Sequence, residues 1–215
     1  MKNLLIKEFR LCLHPAAALF LLLSSMLLIP NYPYYVVFFY NGLGAFFICL
    51  SGRENNDVLY TMLLPVQKKD LVKARIGFIV LLELAQVLVA VPFAVIRQHL
   101  PVGGNAVGMD ANIALFGLSF LLLGLFNFVF FRAYYRNINK VGVSFLWASI
   151  AEFLLIVVLE TCDHIIPFLR DRLDTPDPQF LPEKLAVLAA GFLLFCLLTF
   201  AAYQKAARSF DAFDL

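Results

Sequence analysis

Two glutamates interrupt apolar stretches of the sequence that are otherwise free of charge. Glu83 lies within residues 76–96, and Glu152 lies within residues 141–159. A charged side chain at the centre of a bilayer costs roughly 2.5–3.5 kcal/mol on insertion scales, so such a residue rarely faces lipid. Two interpretations follow. Either the glutamates form, with Gln86, a polar wall along a path through the membrane, or each carboxyl group packs one helix on another, for instance through Gln86 or Asn127.

The other residue types that support catalysis or metal binding are scattered. No histidine or second acid lies one helical turn from Glu83 or Glu152, so neither has a partner for acid–base catalysis. The three histidines fall in separate parts of the chain without an HExxH motif, and the four cysteines form no CxxC pair. We therefore expect no catalytic residue, no metal and no cofactor in this chain, and we expect the cysteines to be apolar packing residues.

The composition defines the environment of these residues. The chain has 215 residues, of which 62% are hydrophobic and 15% are charged, against roughly 25% charged in an ordinary soluble domain. The mean hydropathy is +0.84, and a net charge of +2 gives no indication of nucleic-acid binding. This composition excludes a disordered chain, leaves no room for a separate soluble enzyme domain and predicts a polytopic helical membrane protein.

The gaps between charged residues divide the chain into six membrane-spanning helices. The first gap, from Arg10 to Arg53, is long enough for two helices, and Pro30-Asn31-Tyr32-Pro33 breaks it because proline disfavours helix just before itself. No segment alternates in polarity as a barrel strand does. We predict an all-α fold with a single transmembrane domain over residues 1–215 and spans near 16–29, 34–50, 76–96, 111–131, 141–159 and 185–204.

The basic residues are divided unequally between the two sides that these spans define. One side carries thirteen of the 17 Lys and Arg residues, and the other carries only Arg97, Arg170, Arg172 and Lys184. By the positive-inside rule, the richer side is cytoplasmic. We therefore predict a multi-pass protein of a bacterial plasma membrane with both termini in the cytoplasm.

The first fourteen residues have an amphipathic pattern of their own. Leu5, Phe9 and Leu13 recur every four residues on one helical face, and basic residues such as Lys7 fall on the opposite face. The pattern predicts an interfacial helix over residues 1–14 whose basic groups face lipid headgroups. The alternative is a basic flank that merely extends the first span.

A second short helix is indicated in the loop 52–75, between the second and third spans. Acidic and amide side chains suited to a helix N-terminus precede an apolar stripe at i, i+1, i+4 and i+5, and a proline follows the stripe. In chain order, these residues are Glu54, Asn55, Asp57, Val58, Leu59, Met62, Leu63 and Pro65. Because two helical turns are marginal alone, the stripe needs a surface, either the bilayer interface or a groove on a partner protein.

The same loop resembles a known family. Glu54, the stretch Leu59-Tyr60-Thr61-Met62-Leu63-Leu64-Pro65-Val66 and the segment 67–75 resemble the pattern of ABC-2 type transporter permeases. In that pattern an acidic residue precedes a Thr-Leu-Pro-Val-like stretch, a basic pair and a Lys-Ala entry to span three. This chain has one residue more between Thr and Pro than the tight form. The six-span layout and the amphipathic N-terminus extend the resemblance over nearly the whole chain.

The resemblance implies a permease subunit of an ATP-binding-cassette (ABC) exporter and not an enzyme. Two such subunits would form a homodimer with two copies of a cognate ATPase. The ATPase would bind ATP and Mg²⁺, because this chain has no GxxxxGK[ST] loop. Residues 54–64 would be the coupling helix that docks on the ATPase, and residues 1–14 would be the family's elbow helix, in contact with membrane lipid.

The cargo and the class of protein each have an alternative. The resemblance extends to small exporters of amphipathic or antimicrobial peptides, including phenol-soluble modulins, and an acidic path with Glu83 and Glu152 would suit a cationic peptide. Lipid or drug cargo is the alternative. A six-span membrane enzyme, or a scaffold that recruits a cytoplasmic partner, is the competing class of protein.

Two further features concern the outer surface and the packing of the spans. The outer segment 160–183 predicts an amphipathic cap between spans five and six, or a lid over an exit path. Small residues in the second and fourth spans indicate close helix contacts, either at the homodimer seam or within the subunit. These residues are Gly42, Gly44, Ala45, Gly117, Ser119 and Gly124.

Overall fold

The computed structural model describes residues 2–101 and 103–212, and every regular element in these ranges is helical. The helices are α1 (Lys2–Lys7), α2 (Pro15–Leu22), α3 (Tyr35–Glu54), α4 (Asp57–Met62), α5 (Lys68–His99), α6 (Ile113–Tyr134), α7 (Val141–Ile165) and α8 (Leu181–Asp211). Two π-helical segments cover Glu8–Cys12 and Leu169–Leu173, and a 3₁₀ segment covers Leu23–Leu28. The predicted all-α class is confirmed.

Five of the described helices, α3 and α5 to α8, are long and apolar enough to cross a membrane. A sixth candidate is the bent pair Lys2–Cys12 and Pro15–Leu28, whose two halves meet at 84°. Helix α5 has 32 residues, which corresponds to about 48 Å against a hydrocarbon core of about 30 Å. It therefore extends beyond the core, and the architecture is that of the expected polytopic membrane protein.

Local chemistry explains the bend near the N-terminus. His14 Nδ1 accepts a hydrogen bond from the Ala16 amide at 3.1 Å, and Pro15 occupies the first turn of α2. The preceding helical segment therefore ends before α2, and the following half of the bent pair lies at 84° to it. Phe9, in that segment, contacts the ring of Phe78 edge-on with 4.8 Å between centroids. Met1, the first residue of the expected 1–14 helix, lies outside the described residues.

Helix α6 lies at the centre of the bundle, and α8 packs along it at very short range. An added Cβ at Gly117 would come within 2.7 Å of the Val187 carbonyl oxygen, and one at Gly191 would overlap the backbone of Gly117. Gly44 of α3 likewise faces Ala17 of α2 at 3.4 Å. The same close approach brings Gly42 against Phe126 and Gly124 against Phe195. These glycines therefore pack helices together within one subunit.

The bundle has two chemically different ends. The first, called the basic end below, gathers α4, the start of α5, the end of α8 and the α6–α7 loop. There Lys68 donates to the carbonyl oxygen of Asp211, and Arg53 donates to that of Asn139, each at 3.3 Å. The second, called the acidic end, carries the loop 103–112 and the segment Leu169–Leu173.

Candidate functional site

Helix α4 lies at the basic end, between α3 and α5. Asn56 has a left-handed conformation with φ of 51° and separates the two helices, so Glu54 is the last residue of α3 and Asn55 caps that helix. Asp57 opens α4, and the Thr61 hydroxyl donates to the Asp57 carbonyl at 2.7 Å. The helix begins later than the expected 54–64 segment because a left-handed residue interrupts the helical backbone.

The apolar side chains of α4 and of the turn after it are divided between two surfaces. Val58 is buried in the core, and Met62 packs against that core. Leu59 is 48% exposed and Leu63 is 76% exposed. The exposed group is called the α4 patch: Leu59, Tyr60, Leu63 and Leu64, with the exposed Pro65 directly after it. Half of the expected stripe thus holds α4 in place, and the other half faces outward.

Beneath α4, a buried ion-pair cluster joins the N-terminal segment, α4 and α5. The guanidinium of Arg75, in α5, is 1% exposed; its Nε donates to Glu8 at 2.5 Å, and its Nη2 donates to Asp57. Lys7 Nζ donates to Asp57 at 2.8 Å and pairs with Glu8 at 3.0 Å. Lys7, Glu8, Asp57 and Arg75 are called the Arg75 cluster. It fixes both the N-terminal segment and α4 to the first turns of α5.

The electrostatics of this cluster favour its charged form. Burial alone raises the pKa of Asp57, but the charges of Arg75 and Lys7 outweigh burial and hold the pKa below its usual value. Ligand atoms of Glu8, Cys12 and Asp57 lie within 4.8 Å of one another, as metal ligands would. Because Arg75 donates to all three groups, it already supplies the positive charge there. The arrangement is therefore an ion-pair network.

The amphipathic pattern of the N-terminus did not point to this cluster. That pattern predicts Lys7 facing lipid headgroups, whereas the structure turns Lys7 toward Asp57. A signal was nevertheless present in the sequence, because Glu8 is the only acidic residue before Glu54. A single carboxylate in a basic interfacial segment, with an arginine at the entry to the third span, indicates an ion pair between the two.

The intramembrane polar residues lie inside the bundle. Asn127 of α6 donates to Glu83 at 3.0 Å and to the Thr199 hydroxyl at 3.1 Å, which links α5, α6 and α8. Gln86 donates to the Val37 carbonyl at 2.6 Å. Glu152 is 0% exposed, and neither of its carboxyl oxygens has a partner among the described residues. The structure thus brings Glu83 together with Asn127, as the packing alternative expects.

At the acidic end, the segment after α7 is fastened to the loop 103–112. The Asp110 amide donates to Asp174 at 2.6 Å, and Asn112 donates to the Leu173 carbonyl at 2.8 Å. Burial raises the pKa of Asp174 to about 6, although the hydrogen bond from Asp110 acts in the opposite direction. Asp177 pairs with Lys184 at 2.8 Å. The segment is therefore hydrogen-bonded to the loop 103–112, an arrangement that both the cap and the lid over an exit path allow.

Comparison with known protein families agrees with this architecture. The family model described as ABC-2 family transporter protein matches residues 3–211, nearly the whole chain. Neither a curated protein nor a solved structure matches the chain. The family consists of the membrane subunits of transporters that work with an ABC ATPase, so the resemblance noted in the loop after the second span is confirmed. The chain belongs to the ABC-2 transporter family and is an ABC transporter permease subunit.

Proposed function

We propose that this permease subunit belongs to an exporter and docks on its ATPase through the α4 patch. The observation that carries the proposal is an exposed apolar surface on a helix that is itself held firmly. Leu59, Leu63 and their neighbours face outward, while Val58 and Asp57 fix the other side of α4 to the core and to Arg75. A helix laid in a groove binds through one apolar face, which is what α4 offers.

The Arg75 cluster gives this docking helix a mechanical connection to the membrane. Arg75 stands at the start of α5, the helix that also carries Glu83 inside the bundle. A displacement of α4 by the ATPase would therefore move the first turns of α5 and the N-terminal segment with it. Closure of the ATPase dimer on ATP and Mg²⁺, both bound by the partner chain, would drive the spans between inward-open and outward-open states.

Family membership and charge support a proposal for the rest of the assembly. The proposed complex has two copies of this subunit as a homodimer and two ATPase subunits. The basic end faces the cytoplasm of a bacterium, together with both termini, because it holds most of the Lys and Arg residues. The proposed cargo is an amphipathic or antimicrobial-type peptide, and the buried carboxyl groups of Glu83 and Glu152 support a cationic one.

Co-purification of the cognate ATPase tests the docking proposal. We expect Leu59→Asp or Leu63→Asp to lower the recovery of ATPase with the full-length permease about tenfold or more. Burial of one leucine contributes roughly 1.5–3 kcal/mol, and each 1.4 kcal/mol is a factor of about ten in affinity. The matched control is Val107→Asp, which places the same charge on an exposed apolar residue at the acidic end. Unchanged recovery in both α4 variants would contradict the proposal.

A further inference from the structure

A groove between α6 and α7 opens on the side of the bundle, near the basic end. It has a volume of about 360 Å³ and is built from both helices. Its lining residues are Phe128, Val129, Arg132, Ala133, Arg136, Trp147, Ile150, Ala151 and Leu154. It shares no residue with the α4 patch or with the Arg75 cluster.

The floor and the rim of this groove differ in character. The floor is apolar, with the exposed side chains of Ile150 and Leu154 on α7. Trp147, which is 59% exposed, stands beside them and is the single tryptophan of the chain. Tryptophan is enriched where the hydrocarbon core meets the headgroup region, because its ring is apolar with one polar edge. The floor therefore suits an acyl chain. Trp147 indicates that the end of the floor next to the rim lies where the hydrocarbon core meets the headgroup region.

The rim is cationic. Arg132, near the end of α6, and Arg136, in the turn after it, both line the groove and are exposed. Among the residues that the structure describes, neither arginine side chain has an acidic partner, and no carboxylate lines the groove. Lys205 of α8 adds a third cation nearby, 4.7 Å above the ring of Phe128. Two arginine forks without partners at one rim form a site complementary to phosphate oxygens.

We propose that this groove is a binding site for an anionic phospholipid of the leaflet at the basic end. The headgroup phosphate lies between Arg132 and Arg136, and an acyl chain runs along Trp147, Ile150 and Leu154. Basic pockets between membrane helices on the cytoplasmic side bind such headgroups elsewhere. Arginines at a helix C-terminus also stabilise the helix through its dipole, but that role requires neither an apolar groove beside them nor a tryptophan at its edge.

The single tryptophan makes the site directly measurable. The full-length chain is reconstituted in phosphatidylcholine nanodiscs that contain increasing fractions of phosphatidylglycerol with brominated acyl chains, which quench tryptophan on contact. Brominated phosphatidylcholine is the zwitterionic comparison. We expect half-maximal quenching of Trp147 at a mole fraction of the brominated anionic lipid at least threefold lower than that of the zwitterionic one. High salt should reduce this preference, because screening weakens exposed charge contacts.

A pair of charge variants separates this site from general attraction to a basic protein surface. The double variant Arg132→Gln/Arg136→Gln should lose the preference. Lys69→Gln/Lys73→Gln, which removes the same charge from exposed residues of α5 at the same end, should keep it. Equal quenching by the two lipids in the unaltered chain, or an equal loss of preference in both double variants, would overturn the proposal. Because no ATPase is present, failure here leaves the α4 docking proposal untouched.

Discussion

Arg75 is the residue on which the basic end depends. Its guanidinium is almost completely enclosed and contacts carboxylates from two separate elements, Glu8 and Asp57. A buried ion pair contributes little net stability by itself, because desolvation offsets much of the attraction. Removal of one member is different, since it leaves a buried charge without compensation. The cluster therefore serves mainly to fix the position of α4 and not to add net stability.

Replacement of Arg75 by methionine should destabilise the subunit by about 3–5 kcal/mol, because the carboxylates of Glu8 and Asp57 would then share the single cation of Lys7. The double variant Arg75→Met/Glu8→Gln removes one charge of each sign, leaves the Lys7–Asp57 pair at 2.8 Å in place and should recover most of that loss. The measurement is the unfolding midpoint of the detergent-purified full chain in a denaturant titration. Arg10→Met, which changes an exposed arginine of the N-terminal segment, serves as the control. Equal midpoints for Arg75→Met and the control would refute the argument.

Some features of individual residues could be predicted from the sequence, and others depend on the tertiary fold. Asp57 and the apolar residues after it indicated a short helix, because their spacing reports one helical face. The spacing could not indicate that Val58 faces the core while Leu63 faces outward, since that depends on where α1 and α5 lie. The partnership of Glu8 with Arg75, 67 positions apart, likewise depends on the tertiary fold. The pairing of Glu83 with Asn127, by contrast, was one of the two alternatives that intramembrane polarity raised.

At the scale of elements, the contact between α6 and α8 determines the packing of the bundle. Gly117 and Gly191 let the two backbones approach so closely that a Cβ at either position would overlap the other helix. Within lipid, close backbone approach is the main source of helix association, because tails and side chains are equally apolar. The small-residue pattern of the fourth span predicted a close contact but not its partner, because small residues serve subunit seams and internal contacts alike.

Gly191→Ala should therefore destabilise the bundle by roughly 1–3 kcal/mol through overpacking. The matched control is Gly142→Ala, since Gly142 also lies in a membrane helix but has nothing within 4 Å of an added Cβ. There alanine should change the free energy of unfolding by no more than about 0.5 kcal/mol, because Gly142 is the second residue of α7 and glycine is fully unfavourable only in a helix interior. Both variants are compared by unfolding midpoint. Equal unfolding midpoints for Gly191→Ala and Gly142→Ala would show that the backbones of α6 and α8 do not approach each other this closely.

The molecule as a whole is polarised along its axis. The basic end holds the α4 patch, the Arg75 cluster and, near it, the groove between α6 and α7. At the acidic end, Asp174 and Asn112 take part in hydrogen bonds that join the loop 103–112 to the segment after α7. Hydropathy gaps and proline breaks revealed the spans, since the bilayer fixes their length. The α4 helix was displaced from its expected start because the left-handed turn at Asn56 depends on backbone geometry that periodicity does not report.

Between these two ends lie Glu83 and Glu152, and a transport assay of the complete complex tests their role. Inverted membrane vesicles that contain the permease and its ATPase should accumulate a labelled cationic amphipathic peptide when ATP is added outside, because inversion turns the proposed cytoplasmic end outward. Glu83→Gln/Glu152→Gln should reduce this uptake about fivefold or more, since the carboxyl groups would no longer attract the cargo. Glutamine retains an oxygen that can accept the hydrogen bond from Asn127, so an unchanged unfolding midpoint would separate this effect from lost packing.

The control for that assay is Asp171→Asn/Glu183→Gln, which removes two carboxyl groups outside the spans and should leave uptake unchanged. Full uptake by the Glu83→Gln/Glu152→Gln variant would show that these glutamates only pack helices. Uptake that depends on ATP inside right-side-out vesicles would instead show that the complex imports the peptide. A vesicle preparation of known sidedness therefore tests the direction of transport and the cargo path with one labelled peptide.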